Sequence, residues 1–143
     1  MTTIDPQPRT TPPSSALNIG LWVAQAFVGL TFTGGGVWKL VTPLADVAEV
    51  FPWAGEISSW VLYTSAVFDI LGGLGVLLPS LTRIRPQLTV VAASGCVALQ
   101  AAAILFHLVR GEGADTAINF VFLALAGFVA WGRATRAPVA PRR

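Results

Sequence analysis

Three ionisable side chains, Lys39, Asp69 and His107, sit inside long apolar runs of a 143-residue chain. Ionisable groups in hydrocarbon are costly, and they face a bundle interior or a wet cavity rather than lipid. A buried carboxylic acid and an imidazole supply acid–base chemistry, and an ammonium or carboxamide can polarise a bound oxygen. The same runs contain the carboxamides Gln25, Gln100 and Asn119. Asp69 and His107 are therefore the catalytic candidates, and Lys39, Asn119, Gln100 and Gln25 the candidates for ligand binding. No metal set is expected. One cysteine and one histidine exclude a disulfide framework, a CxxC pair, a cysteine-rich zinc site and a self-contained bis-histidine haem. Each residue also has a plainer role open to it. Lys39 can snorkel to an interface, Asp69 can hold a structural partner, and His107 can be solvated near the surface. Gln100 and Asn119 can join helices, and Cys96 can be a small core residue. The run Thr33-Gly34-Gly35-Gly36 suits close helix packing. It follows no strand and lacks the spacing of a phosphate loop.

The elements that must position these groups are membrane spans. Hydrophobic residues make up 54% of the chain and charged residues 11%, against about 25% charged in ordinary soluble domains. This excludes a disordered chain, a nucleic-acid-binding domain and an ordinary water-soluble enzyme. The net charge of +2 is too small to imply a polyanionic partner. Four apolar blocks run from about Leu17 to Val41, Trp60 to Leu78, Leu88 to Val109 and Ala117 to Arg133, the last expected to begin a few residues earlier. Most approach the roughly 20 residues that cross a bilayer as helix, and helix is the default where backbone groups must pair internally. The composition predicts an all-α, four-helix transmembrane bundle over residues 16–134, with disordered tails at 1–15 and 135–143. Pro79-Ser80 is expected to stop the second span, and Gly111-Glu112-Gly113 to separate the third from the fourth. The link from Thr42 to Ser59 reads either as a short amphipathic piece on the membrane surface or as an ordered loop.

Four spans put both termini and the 2–3 loop on one face, with Arg9, Arg83, Arg85, Arg133, Arg136, Arg142 and Arg143. The positive-inside rule makes that face cytoplasmic, and the expected location is the bacterial inner membrane. Span direction then places Lys39, His107 and Asn119 in the outer half. Asp69 lies nine residues past Trp60, about 14 Å in at 1.5 Å per residue. Gln25, Gln100 and Cys96 are placed to line the floor. The expectation is one polar pocket open or gated toward the outer face.

These residues resemble the DoxX-like family of small bacterial membrane proteins. The likeness rests on FTGGGVWKL in the first span, FDILGGLGVLLP in the second, the loop LTRIRPQLTVVAA, FHLVRGE ending the third and AINFVFLALA opening the fourth. It covers about residues 17 to 133. It implies a four-helix membrane bundle with Lys39, Asp69, His107 and Asn119 at the family's polar positions. Many relatives have glutamate where this chain has Asp69. The wider family is named for a subunit of a thiosulfate:quinone oxidoreductase, and other members are linked to membrane redox complexes.

Three functions follow as expectations. The first is an accessory or quinone-binding subunit of a membrane redox system, with a redox protein partner supplying or taking electrons. Quinone is thus the cofactor or ligand to test. The second is a small membrane enzyme (an isomerase, cyclase or hydrolase) acting on a lipid-soluble substrate. The third is a proton-coupled transporter, which the absence of a carboxylate in the first span and of a clear inverted repeat places last. The lipid bilayer is the surrounding partner, and a homo-oligomer stays open.

Overall fold

The computed structural model describes residues 14–142. The expected N-terminal tail, apart from Ser14 and Ser15, lies outside them. Helices α1 (Ser15–Val41), α4 (Ser59–Thr82), α5 (Gln87–Val109) and α6 (Ala117–Trp131) form the bundle, and α2 (Leu44–Val50) and α3 (Trp53–Glu56) bridge α1 to α4. The fold is all-α, and four helical segments are long and apolar enough to cross a membrane, the last running from Gly113 to Arg136. The bundle is closed: α1 packs on α4, α4 on α5, α5 on α6 and α6 back on α1. Both described ends lie on one face, called here the termini face. The α1–α4 and α5–α6 connections lie on the other, the loop face.

Local signals set the helix ends. The Ser14 hydroxyl accepts from the Leu17 N–H at 3.3 Å and caps α1, satisfying one of the unpaired first-turn donors. Helix α5 ends at Gly111, whose φ of 78° is the left-handed conformation that glycine adopts without a Cβ penalty. A 3-10 turn at Gly113–Thr116 leads into α6, so the fourth span does begin before Ala117. The expected stop at Pro79-Ser80 is not where α4 ends. Pro79 lies inside the helix, which continues to Thr82 and is closed by Arg83 at φ 58°. Proline removes one donor near the helix end, and in a membrane bundle neighbouring groups absorb such a loss.

In lipid, helices associate by close packing rather than by the hydrophobic effect. The α1–α4 seam shows this. Gly29 and Gly36 on α1 face Gly73 and Ala66 on α4, and a Cβ on Gly36 would come within 2.6 Å of the Ala66 carbonyl oxygen. The core is filled by Ala24, Val28, Val76, Ala93, Ala126 and Val129. Above it Phe32 and Phe122 meet edge to face at 5.1 Å. Large apolar side chains such as Leu30 (68% exposed), Leu71 and Val91 point outward, as a lipid-facing belt requires. The Thr42–Ser59 link is ordered: Val47 and Ala54 are buried with Leu62 against Trp38, Leu44 and Trp53, so α2 and α3 cap the loop-face end of the bundle.

Candidate functional site

The polar residues sort into three groups at three depths. The first lies between α1 and α4. Lys39, in the last turn of α1, donates to Asp69 Oδ2 at 2.6 Å, and both side chains are about 15% exposed (16% and 14%). The glycine seam brings the two backbones close enough for the lysine stem to reach one turn deeper than its own Cα.

Gln100 belongs to the same layer. The antiparallel register of α4 and α5 is fixed by Ser80 and Thr89, whose hydroxyls are 2.8 Å apart, and by Gly72, where a Cβ would come within 2.7 Å of Cys96 Sγ. Extending that register by one turn sets Gln100 across from Asp69. Gln100 is 6% exposed, and its Oε1 is buried with no hydrogen-bond partner among the described residues, as is Thr33 Oγ1 on α1. A buried polar atom left unpaired costs about 1–3 kcal/mol. On the lipid side, Phe68, Leu71 and Gly72 of α4 and Ala92, Gly95, Cys96 and Leu99 of α5 line an apolar groove of about 370 Å³. Phe68 and Gly72 flank Asp69 in the helix, and Cys96 and Leu99 adjoin Gln100. Asn119 is half-buried in the first turn of α6.

The second group lies under the loop-face cap. His107 ends the buried stripe Thr89, Ala93, Cys96, Gln100 and Ile104 of α5. Its ring meets Trp53 and Phe106 edge to face at 6.0 and 5.3 Å. Nδ1 donates to Glu112 Oε2 at 2.8 Å, since a carboxylate only accepts. Arg110 Nε donates to Glu112 Oε1 at 2.8 Å, and Arg110 also pairs with Glu56. The hydrogen bond from His107, with help from Arg110, holds the Glu112 carboxyl below its ordinary range. The hydrogen bonds to Glu56 and Glu112 raise the affinity of Arg110 for its proton. Ligand atoms of His107, Glu112 and Asp115 lie within 4.8 Å of one another, but Arg110 already neutralises the same carboxylate. His107 and Asp69 do not meet. The register places His107 two turns nearer the loop face than Asp69, about 10 Å along the axis.

The third group is near the termini face and includes Gln25. Gln25 is fully buried, donates to the Val76 carbonyl at 2.9 Å and accepts from Arg133 Nε at 2.6 Å. It lies fourteen residues from Lys39, about 21 Å along α1, and so stands apart from the loop-face residues it was expected to join. Arg133 is the residue that sequence reasoning missed. It was counted among flanking arginines, yet it is 4% exposed. A π turn at Gly132–Arg136 turns it inward.

A model of the DoxX-like family matches residues 23–129. No curated protein and no solved structure matches the chain.

Proposed function

The chain belongs to the DoxX-like family, and from that premise we propose that it is a quinone-binding accessory subunit of a membrane redox system. One observation carries the reading. A groove open to lipid, about 370 Å³ and apolar, runs beside a half-buried Lys39–Asp69 pair and a buried, unpaired Gln100 Oε1. An isoprenoid chain suits the groove. A quinone carbonyl suits the Lys39 ammonium, and a quinol hydroxyl suits Gln100 Oε1 or the Asp69 carboxylate. The quinone supplies two-electron, two-proton exchange. This chain's part is to hold the head group and pass protons at Asp69, while electrons go to or come from a partner protein. Asn119 is a further proposed contact. The termini face is proposed to be cytoplasmic, from the arginines that surround it.

The enzyme reading is weaker on this geometry, because the carboxylate of Asp69 and the imidazole of His107 stand about 10 Å apart along the bundle. His107 is better read as a positioning residue that fixes the loop-face cap through Glu112.

Titrating a short-chain quinone and its quinol into the protein in nanodiscs, read by tryptophan quenching, tests the proposal. Saturable binding is expected. Gln100→Leu weakens the quinol by about tenfold, the scale of one buried hydrogen bond, and Leu71→Trp, which fills the groove, weakens both forms. Binding that is linear in ligand and equal in both variants is partition into lipid and overturns it.

A further inference from the structure

One charged side chain among the described residues is nearly sealed from solvent without an anion beside it. Arg133 Nε donates to Gln25 Oε1 at 2.6 Å, and Nη1 donates to Asn18 Oδ1 at 2.8 Å and to the Ala137 carbonyl at 2.9 Å. The guanidinium also lies over the Trp22 ring at 4.9 Å. Every one of these partners is neutral. Nη2 is buried with no partner among the described residues. The described carboxylates Asp46, Glu49, Glu56, Glu112 and Asp115 belong to the loop-face cap and connections, and Asp69 is held by Lys39.

Arg133 is also a wall of a cavity of about 160 Å³ at the termini face, with Ser80, Gln87, Pro138 and Val139 among the other walls. Pro86 and Gln87 open α5, a 23-residue helix with no side-chain cap at its start. The Leu88 and Thr89 N–H groups donate to the Arg85 and Pro86 carbonyls at 2.9 and 3.1 Å, so at this positive helix end the first-turn donor left over is the Gln87 N–H. The chain after α6 closes the far side: Ala137 is buried, and the Arg142 N–H donates to the Arg83 carbonyl at 2.9 Å. Residues 137–142 thus lie back over the α4–α5 loop, although the sequence places them in a tail.

We propose that this cavity is a site for a phosphate group, held by Arg133 with the first turn of α5. Nε and both protons of Nη1 are already given to neutral acceptors, so Nη2 is the nitrogen left to donate to a phosphate oxygen, a charge-assisted bond that supplies the partner it lacks. The depth, at the end of the fourth span, is that of a lipid head group, so the phosphate is either that of an anionic phospholipid or a free ion. Arg133, Pro138 and Val139 lie outside the family match at 23–129, and the cavity lies nearer the termini face than the groove proposed for quinone, with none of its lining residues shared.

The test is native mass spectrometry of the full chain in mild detergent. Phosphatidylglycerol and phosphatidylcholine of identical acyl chains are titrated separately, with inorganic phosphate as competitor. The wild type is expected to hold one phosphatidylglycerol at least tenfold more tightly than phosphatidylcholine. Arg133→Lys reduces that ratio. Val139→Trp, which fills the cavity and leaves the arginine's hydrogen bonds intact, removes it even if the lysine variant fails to fold. Displacement by millimolar phosphate supports the site and assigns it to a free ion; its absence assigns it to the lipid. No preference in the wild type overturns the proposal. So does a preference that Val139→Trp leaves unchanged, which would belong to the surface arginines.

Discussion

Lys39 and Asp69 hold each other across two helices, and the cost of removing one member differs from that of removing both. A charge left alone in a low-dielectric layer costs about 3–5 kcal/mol, while replacing the whole pair with apolar groups is often close to neutral. Lys39→Met is therefore expected to lower unfolding stability in detergent by that amount, and Lys39→Met with Asp69→Leu to recover most of it. A double variant as unstable as the single would show that the pair is not the source of the loss. The second residue-scale prediction concerns pH. The carboxyl of Glu112 is depressed by the hydrogen bond from His107 and by Arg110. A group whose folded value is depressed contributes stability that is present above its ordinary value and lost as pH falls through the folded one. The stability difference between the wild type and Glu112→Gln should thus be steady above pH 4.5 and shrink below it. Thermal unfolding from pH 3 to 7 measures it, and a difference that stays constant through that range would contradict the assignment. The candidates Lys39, Asp69 and His107 were legible because charges in apolar runs are conspicuous. The Gln25–Arg133 pair was not, since its members are 108 residues apart and Arg133 stands where a flanking arginine is ordinary. Only the pattern of the π turn, which leaves no sequence mark, brings it inside.

At the scale of elements, the α1–α4 seam decides whether Lys39 can reach Asp69. A Cβ on Gly73 would come within 2.6 Å of the Gly29 carbonyl oxygen, whereas one on Gly35 would meet nothing within 4 Å. Gly73→Val is expected to destabilise by about 1–3 kcal/mol through overpacking and to loosen the ion pair with it. Gly35→Ala should be neutral or gain about 0.5–1 kcal/mol from helix propensity. Equal effects in a denaturation series would show that the glycines serve helix flexibility and not the seam. Span positions were readable because hydropathy and length dictate them. The end of α4 was not, because the sequence shows Pro79 but not the neighbours that let the helix run on to Thr82. Helix register was equally hidden. Nothing in composition says that Gly72 faces Cys96, and from that contact follow both the place of Gln100 and the separation of His107 from Asp69.

At the scale of the whole molecule, the two faces differ in charge and in construction. The loop face carries α2 and α3 with Asp46, Glu49 and Glu56, and the termini face carries Arg83, Arg85, Arg136 and Arg142. In intact cells expressing a Cys96→Ala background, an impermeant maleimide is expected to label Glu49→Cys, and Arg85→Cys only after the membrane is opened. The reverse pattern would invert the proposed orientation and put the lipid groove's polar end on the cytoplasmic side. The bundle as a whole offers lipid a groove at one depth and polar groups beside it, so the ligand that travels with the protein is the most direct evidence of what it does. Native mass spectrometry with lipid extraction, on protein purified from its own membrane, reads that ligand. About one quinone per chain, lost in Gln100→Leu and in Leu71→Trp, is the predicted result. A chain that carries only bulk phospholipid, unchanged in both variants, would contradict a quinone site between α4 and α5.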